Sequence, residues 1–214
     1  AISVLNQSSS ILYAEPNYKL KLAAIPNDTR FDELWGMHND GQTGGTVDAD
    51  IDAPEAWDID TGSSDIIVAV TDTGIDYNHP DLIPNLWVNE AELNGISGVD
   101  DDNNGYIDDI YGYDFYNVDG DPVDDNLHGT HVAGTIGAVG NNAIGVTGVC
   151  WTVKIMAVKC FDFLGGGLLA DAVSAIEYST DNGAKVINAS WGGFSFESQA
   201  LHDAVVAARD AGVL

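Results

Sequence analysis

The chain has 214 residues, 45% of them hydrophobic, enough to bury one sizeable core, so a single domain is the default expectation. Acidic residues outnumber basic ones 34 to 7, a net charge of −27; this argues against nucleic acid or an anionic membrane as partner and favours cations. No apolar run approaches the roughly 20 residues that span a bilayer, and Ala1 opens no basic head and apolar core of a signal peptide, so the start reads as processed or trimmed.

Residues 1–24 differ from the rest. A polar stretch over 6–10 is followed by Ile-Leu-Tyr-Ala-Glu-Pro-Asn-Tyr over 11–18 and by Lys19 and Lys21, which reads as an appended strand outside the core. Residues 32–62 are turn-rich, with a loop over 39–45 and a short helix over 53–58 that carries Pro54 in its first turn. Apolar β-branched runs then predict strands over 66–71, 110–115, 153–158 and 186–190, and helical spacing predicts helices over 131–139, 168–182 and 197–211. Strands separated by helices of this length imply a mostly parallel sheet between helical layers, an α/β fold. In the 168–182 helix Leu169, Ala172, Val173 and Ile176 share one stripe, and Gly183 and Gly212 are helix-ending residues. Val213 and Leu214 read as the first residues of a further strand, so the sheet is expected to be incomplete at the C-terminus, with an uncovered edge.

Cys150 and Cys160 are the two cysteines. A strand between them, at roughly 3.3 Å per residue, holds their Cα atoms about 30 Å apart, against a bridging limit of about 7 Å. Two free, buried thiols are expected.

Chemistry concentrates in two segments. Val-Ala-Val-Thr-Asp-Thr-Gly-Ile, 68–75, delivers Asp72 to a turn at the carboxyl end of a strand, where open α/β sheets present functional groups. His-Gly-Thr-His-Val-Ala-Gly-Thr, 128–135, opens a helix despite Gly129, Gly134 and Gly137, each of which weakens a helix by about 1 kcal/mol. Close packing of the helix backbone on the sheet, bringing His128 to Asp72, is a sufficient reason for such glycines. An ionised Asp72 then orients the imidazole and stabilises the imidazolium. Two plainer readings compete: Asp72 as a turn-forming residue, and His128 with His131 as metal ligands on one helix face, which fits zinc poorly without a His-Glu-x-x-His pattern. His131 reads better as a packed core histidine.

Ten acidic residues lie between Asp100 and Asp125. Residues 100–109 follow the EF-hand loop rule, with Asp100, Asp102 and Asn104 at positions one, three and five, Gly105 at six, the Tyr106 carbonyl at seven and Asp108 at nine. Tyr111 occupies the twelfth position, so the bidentate ligand must come from elsewhere, Asp109 being a candidate. The expected ion is Ca2+; the alternative is a solvated acidic loop whose five carboxylates repel one another.

Together with His-Pro-Asp-Leu (79–82), Gly-Val-Thr-Gly-Val (145–149) and Val-Ile-Asn-Ala-Ser-Trp-Gly-Gly (186–193), these segments resemble the subtilisin-like serine endopeptidases, the subtilase family, in their secreted, calcium-dependent branch, over roughly residues 13–214. The resemblance implies a subtilisin-like three-layer fold, with Asp72 as triad aspartate and His128 as general base. It implies a substrate edge of Ser190, Trp191 and Gly192 facing Leu164, Gly165 and Gly166, where a peptide adds as a strand. Ser190 belongs to that edge and is not the nucleophile. A second calcium site is implied at Asp28, Asp81, Asn142 and the carbonyls of Ile144 and Val146. Residues 1–24 become a propeptide tail and cleavage region, cut between Tyr18 and Pro26, and 25–214 the amino-terminal part of the peptidase domain. Partners are then protein or peptide substrates and the chain's own propeptide, and the location is extracellular.

The family's oxyanion asparagine and its Gly-Thr-Ser-x-Ala nucleophile segment do not occur in this sequence. The 214 residues alone are therefore expected to be inactive, acting on a serine outside them. The alternative is a non-catalytic calcium- and peptide-binding protein.

Overall fold

The computed structural model describes residues 2, 6–7, 10–16, 24–193 and 197–214. In chain order the elements are α1 (Ala53–Trp57), β1 (Gly62–Asp72), α2 (Glu90–Leu93), β2 (Gly112–Asp114), α3 (His128–Gly137), β3 (Thr152–Lys159), α4 (Leu169–Asp181), β4 (Val186–Asn188) and α5 (Gln199–Asp210). The four strands form one parallel sheet in the order β2-β3-β1-β4. β1 and β3, rich in valine and isoleucine, are its central pair.

Alternate residues of those strands feed two separate cores. Val68 and Val70 with Val153, Ile155 and Ala157 pack toward α3 through Ala133 and Ala138. Ala69 with Met156, Val158 and Cys160 pack the other way, onto Ala175 and Tyr178 of α4. A satellite cluster under α5 joins Ile176 to Ala204, Ala208 and Val213. The result is the α/β three-layer sandwich expected from β-branched runs alternating with helical spacings, with the carboxyl ends of β1, β3 and β4 along one rim.

Glycines set the closeness of α3. A Cβ on Gly129 would run into the Gly74 carbonyl oxygen, and one on Gly137 into Val153 Cγ1 and Ile155 Cδ1, whereas one on Gly134 would meet nothing within 4 Å. Close packing therefore explains two of the three glycines expected to serve it.

The observed elements differ from expectation at their ends. Helix α3 starts at His128, three residues early, because the Asp124 carboxylate accepts the Leu127 and Thr130 N–H groups that would otherwise be orphaned at a helix start. The β2 ladder begins only at Gly112: the preceding residues turn tightly, with Ile110 N–H on the Asp108 carbonyl. Residues 11–16 form no strand; the Asn6 side-chain amide instead reaches the Ala14 carbonyl at 2.8 Å, while Tyr18, Lys19 and Lys21 lie outside the described residues. Beyond Gly212, Leu214 donates to the Lys185 carbonyl (3.0 Å) and accepts from Ile187 N–H (2.8 Å), a strand-like pairing on β4.

Two side chains are less buried than expected. His131 is exposed, because its face of α3 opens onto a cleft of about 1020 Å³ shared with Leu34, Trp35 and Met37. Both cysteines are free, but Cys150 is only half-buried; Cys160 is fully buried, and burial with nearby Asp72 pushes its thiol up to about 12. Among the described residues no helix is long and apolar enough to cross a membrane.

The glycine contacts make a paired prediction. Gly137→Ala should cost about 1–3 kcal/mol through overpacking, whereas Gly134→Ala should stabilise by roughly 0.5–1 kcal/mol through helix propensity. Urea unfolding of the two variants measures both, and equal effects would refute the assignment of close packing to Gly137.

Candidate active site at the strand ends

Asp72 is the last residue of β1, and its side chain is 2% exposed. Its Oδ1 accepts the Thr73 N–H at 2.7 Å and lies 2.7 Å from His128 Nδ1, the first residue of α3. The His128 side chain is 52% exposed, so one ring nitrogen is taken by the carboxylate while the opposite edge faces solvent. With Nδ1–H donating to the carboxylate, Nε2 is the ring nitrogen left free of it.

The turn ahead of α3 is tied to the turn after β1. Asp124 accepts from the Thr73 hydroxyl (2.9 Å), from Asn126 and Leu127 N–H, and from both the N–H and hydroxyl of Thr130. Thr73 Oγ1 in turn accepts the Gly129 N–H at 3.0 Å. Burial opposes the charge on Asp124, but the bonds from Thr130, Asn126 and Leu127 outweigh it and hold the carboxyl below its ordinary range. Neither Asp124 nor Thr73 was singled out by sequence; an acidic residue four positions before the histidine was the available signal.

Sheet order places the 164–166 and 190–192 segments, which the sequence reading expects to form a substrate edge, on either side of Asp72, since β3 and β4 are the neighbours of β1. After β3, Asp162 gathers the Leu164 and Gly166 N–H groups into a tight loop, leaving Leu164 exposed and Gly165 at φ +76°. Asn126 ties that loop to the histidine turn through the Phe163 carbonyl (2.9 Å). After β4, Trp191 Nε1 donates to the Thr71 carbonyl (2.8 Å) and its ring meets Phe161 at 5.7 Å, while Ser190 Oγ bonds Asn188 (2.6 Å) and Gly192 is exposed.

A family model described as the subtilase family, Peptidase S8, matches residues 63–214. The chain belongs to the subtilase family. Its sequence is 48% identical over 149 residues to Subtilisin-like protease 1 of Plasmodium vivax, covering 69% of this chain and 23% of that protein. It is 40% identical over 191 residues to the thermophilic serine proteinase of Bacillus sp. strain AK1, covering 89% of this chain and 39% of that protein. A solved protease structure from Pseudoalteromonas arctica PAMC 21717 superposes with a TM-score of 0.68 at 31% identity, covering 89% of this chain and 57% of that one. The chain thus spans well under half the length of these two curated relatives, and the structural likeness shows a subtilisin-like parallel sheet flanked by helices.

In this subtilase the acidic loop packs against α2 and α4. Glu92, Asp102 and Asp109 bring carboxylate oxygens within 4.8 Å of one another. Asn89 and Asn104 amides bridge Asp102 and Asp109, and the Tyr178 hydroxyl donates to Asp109 at 2.6 Å. Burial pushes the Asp109 carboxyl up and the bonds from Tyr178, Asn104 and Asn89 oppose it; burial also raises the Tyr178 phenol. Asp100 instead accepts the Asn104 and Gly105 N–H groups, and Asp108 faces Gly98 N–H. The Tyr106 ring packs in the aromatic cluster with Tyr113, Phe115 and Tyr178. Sequence reading missed Glu92, which lies outside the loop register; Tyr111 at the twelfth position, which directed attention to a carboxylate from elsewhere, was the available signal.

The residues of the second predicted group are neighbours, but Ile144 and Val146 meet it through their N–H groups rather than the expected carbonyls. Asp28 accepts from Asn141 N–H (2.6 Å) and Asn142 N–H (3.4 Å), and buried Asp81 accepts the Asn142 side-chain amide (2.8 Å) and Val146 N–H (3.0 Å). Ile144 N–H closes the loop onto Asn142 Oδ1 (2.7 Å), and Arg30 N–H on the Gly145 carbonyl ties in the arm.

Asp124→Asn tests the turn network. At neutral pH it should destabilise by about 1.5–3 kcal/mol, the worth of bonds to a charged acceptor. Because the folded carboxyl titrates below its unfolded value of about 3.9, that advantage is complete above it and is lost as pH falls through the folded value. Thermal unfolding of both proteins across acid pH should show the two curves converging; a gap that persists at the acid end would refute the charge argument.

Proposed function

We propose that this chain supplies the aspartate and histidine of an Asp-His-Ser serine endopeptidase, acting on a serine that is not among these 214 residues. The observation that carries the proposal is the 2.7 Å contact between buried Asp72 and half-exposed His128 at the rim of the sheet, in a chain of the subtilase family. His128 Nε2 takes the proton from the nucleophile's hydroxyl and returns it to the leaving amine, while Asp72 holds the ring and stabilises its charge. The substrate backbone lies between the 164–166 and 190–192 segments, whose positions beside β1 suit an added strand. Residues 1–24 serve as a propeptide tail, released between Tyr18 and Pro26, and the processed protein acts outside the cell.

In the gene product extended through its serine segment, Asp72→Asn should lower kcat about 10⁴-fold, and His128→Ala should lower it by at least as much. Peptide hydrolysis that survives His128→Ala would refute the assignment; binding of peptide without hydrolysis by the extended wild type would favour the non-catalytic reading.

Calcium belongs to the same proposal. Glu92, Asp102 and Asp109, with Asn104 and the adjoining loop of Asp100, Tyr106 and Asp108, form an all-oxygen donor set suited to a hard cation, and the buried Asp109 gains most from a positive charge. Asp28, Asp81 and Asn142, with the backbone of Ile144 and Val146, would hold a second ion. Bound calcium would supply charge neutralisation and stitch the arm and loops to the domain. Calcium at about a hundredfold over its Kd should add about 2.7 kcal/mol of stability per site. Most of the gain at the first site should vanish in Glu92→Gln and Asp109→Asn, followed by thermal unfolding with calcium and with chelator; identical midpoints in the wild type would sink both sites.

A further inference from the structure

Lys159 ends β3, stands opposite Asp72 in the parallel register and is 1% exposed. Burying an ammonium costs several kcal/mol, and an apolar side chain of similar volume fills such a site more cheaply. The two partners that hold it show what it does there. Its Nζ donates to the Thr73 carbonyl at 2.7 Å and to Asp125 Oδ1 at 2.7 Å. Thr73 follows the triad aspartate, and Asp125 sits three residues before His128.

Thr73 is therefore gripped at both of its outward polar groups by consecutive residues of the histidine turn. Its hydroxyl meets Asp124 directly, and its carbonyl meets Asp125 through the lysine. The direct arm orients the start of α3; the lysine arm reaches from the neighbouring strand and fixes how far the histidine turn stands from the end of β1. An aliphatic plug would fill the same volume without a directional hold on either turn.

We infer that Lys159 is a positioning residue for the Asp72–His128 couple, acting by tethering the Thr73 carbonyl and Asp125 rather than by touching substrate or the imidazole. This rests on the reading of Asp72 and His128 as a catalytic pair. Lys159 also lies opposite buried Asp114 of β2, where burial raises the carboxyl and the lysine charge lowers it, but its hydrogen bonds go to the two turns, whereas Lys154, on the same strand, spends its ammonium on the Pro84 and Leu86 carbonyls and touches neither turn.

The test is proton NMR of the isotopically labelled chain, following the downfield, slowly exchanging Nδ1–H of His128 in the imidazolium form, assigned by its disappearance in His128→Ala. The signal should be present in the wild type and in Lys154→Met. It should be broadened or lost in Lys159→Met, and weakened in Asp125→Ala, with the remaining amide spectrum retained. In the serine-containing protein Lys159→Met should lower kcat roughly 10- to 100-fold, the cost of about 1 Å of misplacement, with KM held. A folded Lys159→Met with an unchanged His128 signal overturns the inference. If that variant does not fold, Asp125→Ala, an exposed change, decides: an unaltered signal there overturns it equally. A wild type without any such signal overturns the catalytic pairing itself, and this inference with it.

Discussion

The structure is organised around one short hydrogen bond between groups that are 56 residues apart in sequence, Asp72 Oδ1 and His128 Nδ1. The bond requires the first turn of α3 to lie against the end of β1 at a distance that leaves no room for a side chain at residue 129, where a Cβ would strike the Gly74 carbonyl. The same closeness recurs about two turns later at Gly137, against Val153 and Ile155. The site and the core on that face are thus one packing problem. Close packing tolerates little volume change, so the helix that fills the core is also held with His128 against Asp72.

Around that bond the chain uses carboxylates as organisers of backbone. Asp124 collects five hydrogen bonds at the start of α3, Asp162 shapes the 164–166 loop, and Asp28 and Asp81 gather the 141–146 loop. With 34 acidic and 7 basic residues, arginine and lysine cannot neutralise such groups pairwise. Amides, hydroxyls and N–H groups take that role instead, as Asn89, Asn104 and Tyr178 do around Asp109. Glu92 is held in the same way, by the Asp101, Asp102 and Asp108 N–H groups, and its carboxylate shares a neighbourhood with Asp102 and Asp109.

Much of the sandwich was legible in the residues because the β-branched runs of β1 and β3 and the helical spacing in α4 are local patterns. Val68 and Val70 had to share a face, and Ala69 had to oppose them. Asp72 and His128 were legible because a strand-end aspartate, common by itself, is joined by a helix start that carries glycines at a helical cost and therefore needs a reason for close packing. Element ends were less readable. The early start of α3 depends on Asp124 accepting N–H groups from a turn, and the late start of β2 on the tight turns that close the acidic loop. His131 looked like a core residue by its spacing within an apolar helix, yet that face of α3 meets an open cleft.

Glu92 and Lys159 mark the boundary most clearly. The loop rule counts positions along the chain, so it could find Asp102, with Asp109 as a nearby candidate for the missing bidentate group, but not a carboxylate brought in by α2 from outside the register. Lys159 reads locally as the polar end of a strand, and only the β1–β3 register places its ammonium between the Thr73 carbonyl and Asp125. The amino-acid sequence by itself determined the layer architecture, the identity of the Asp72 and His128 pair and the presence of an acidic loop, because each is written in spacing or residue type within a short window. Tertiary structure alone decided which distant carboxylates converge, which helix face is covered and which buried charge ties two turns together, because these depend on contacts between segments whose separation along the chain carries no information about their separation in space.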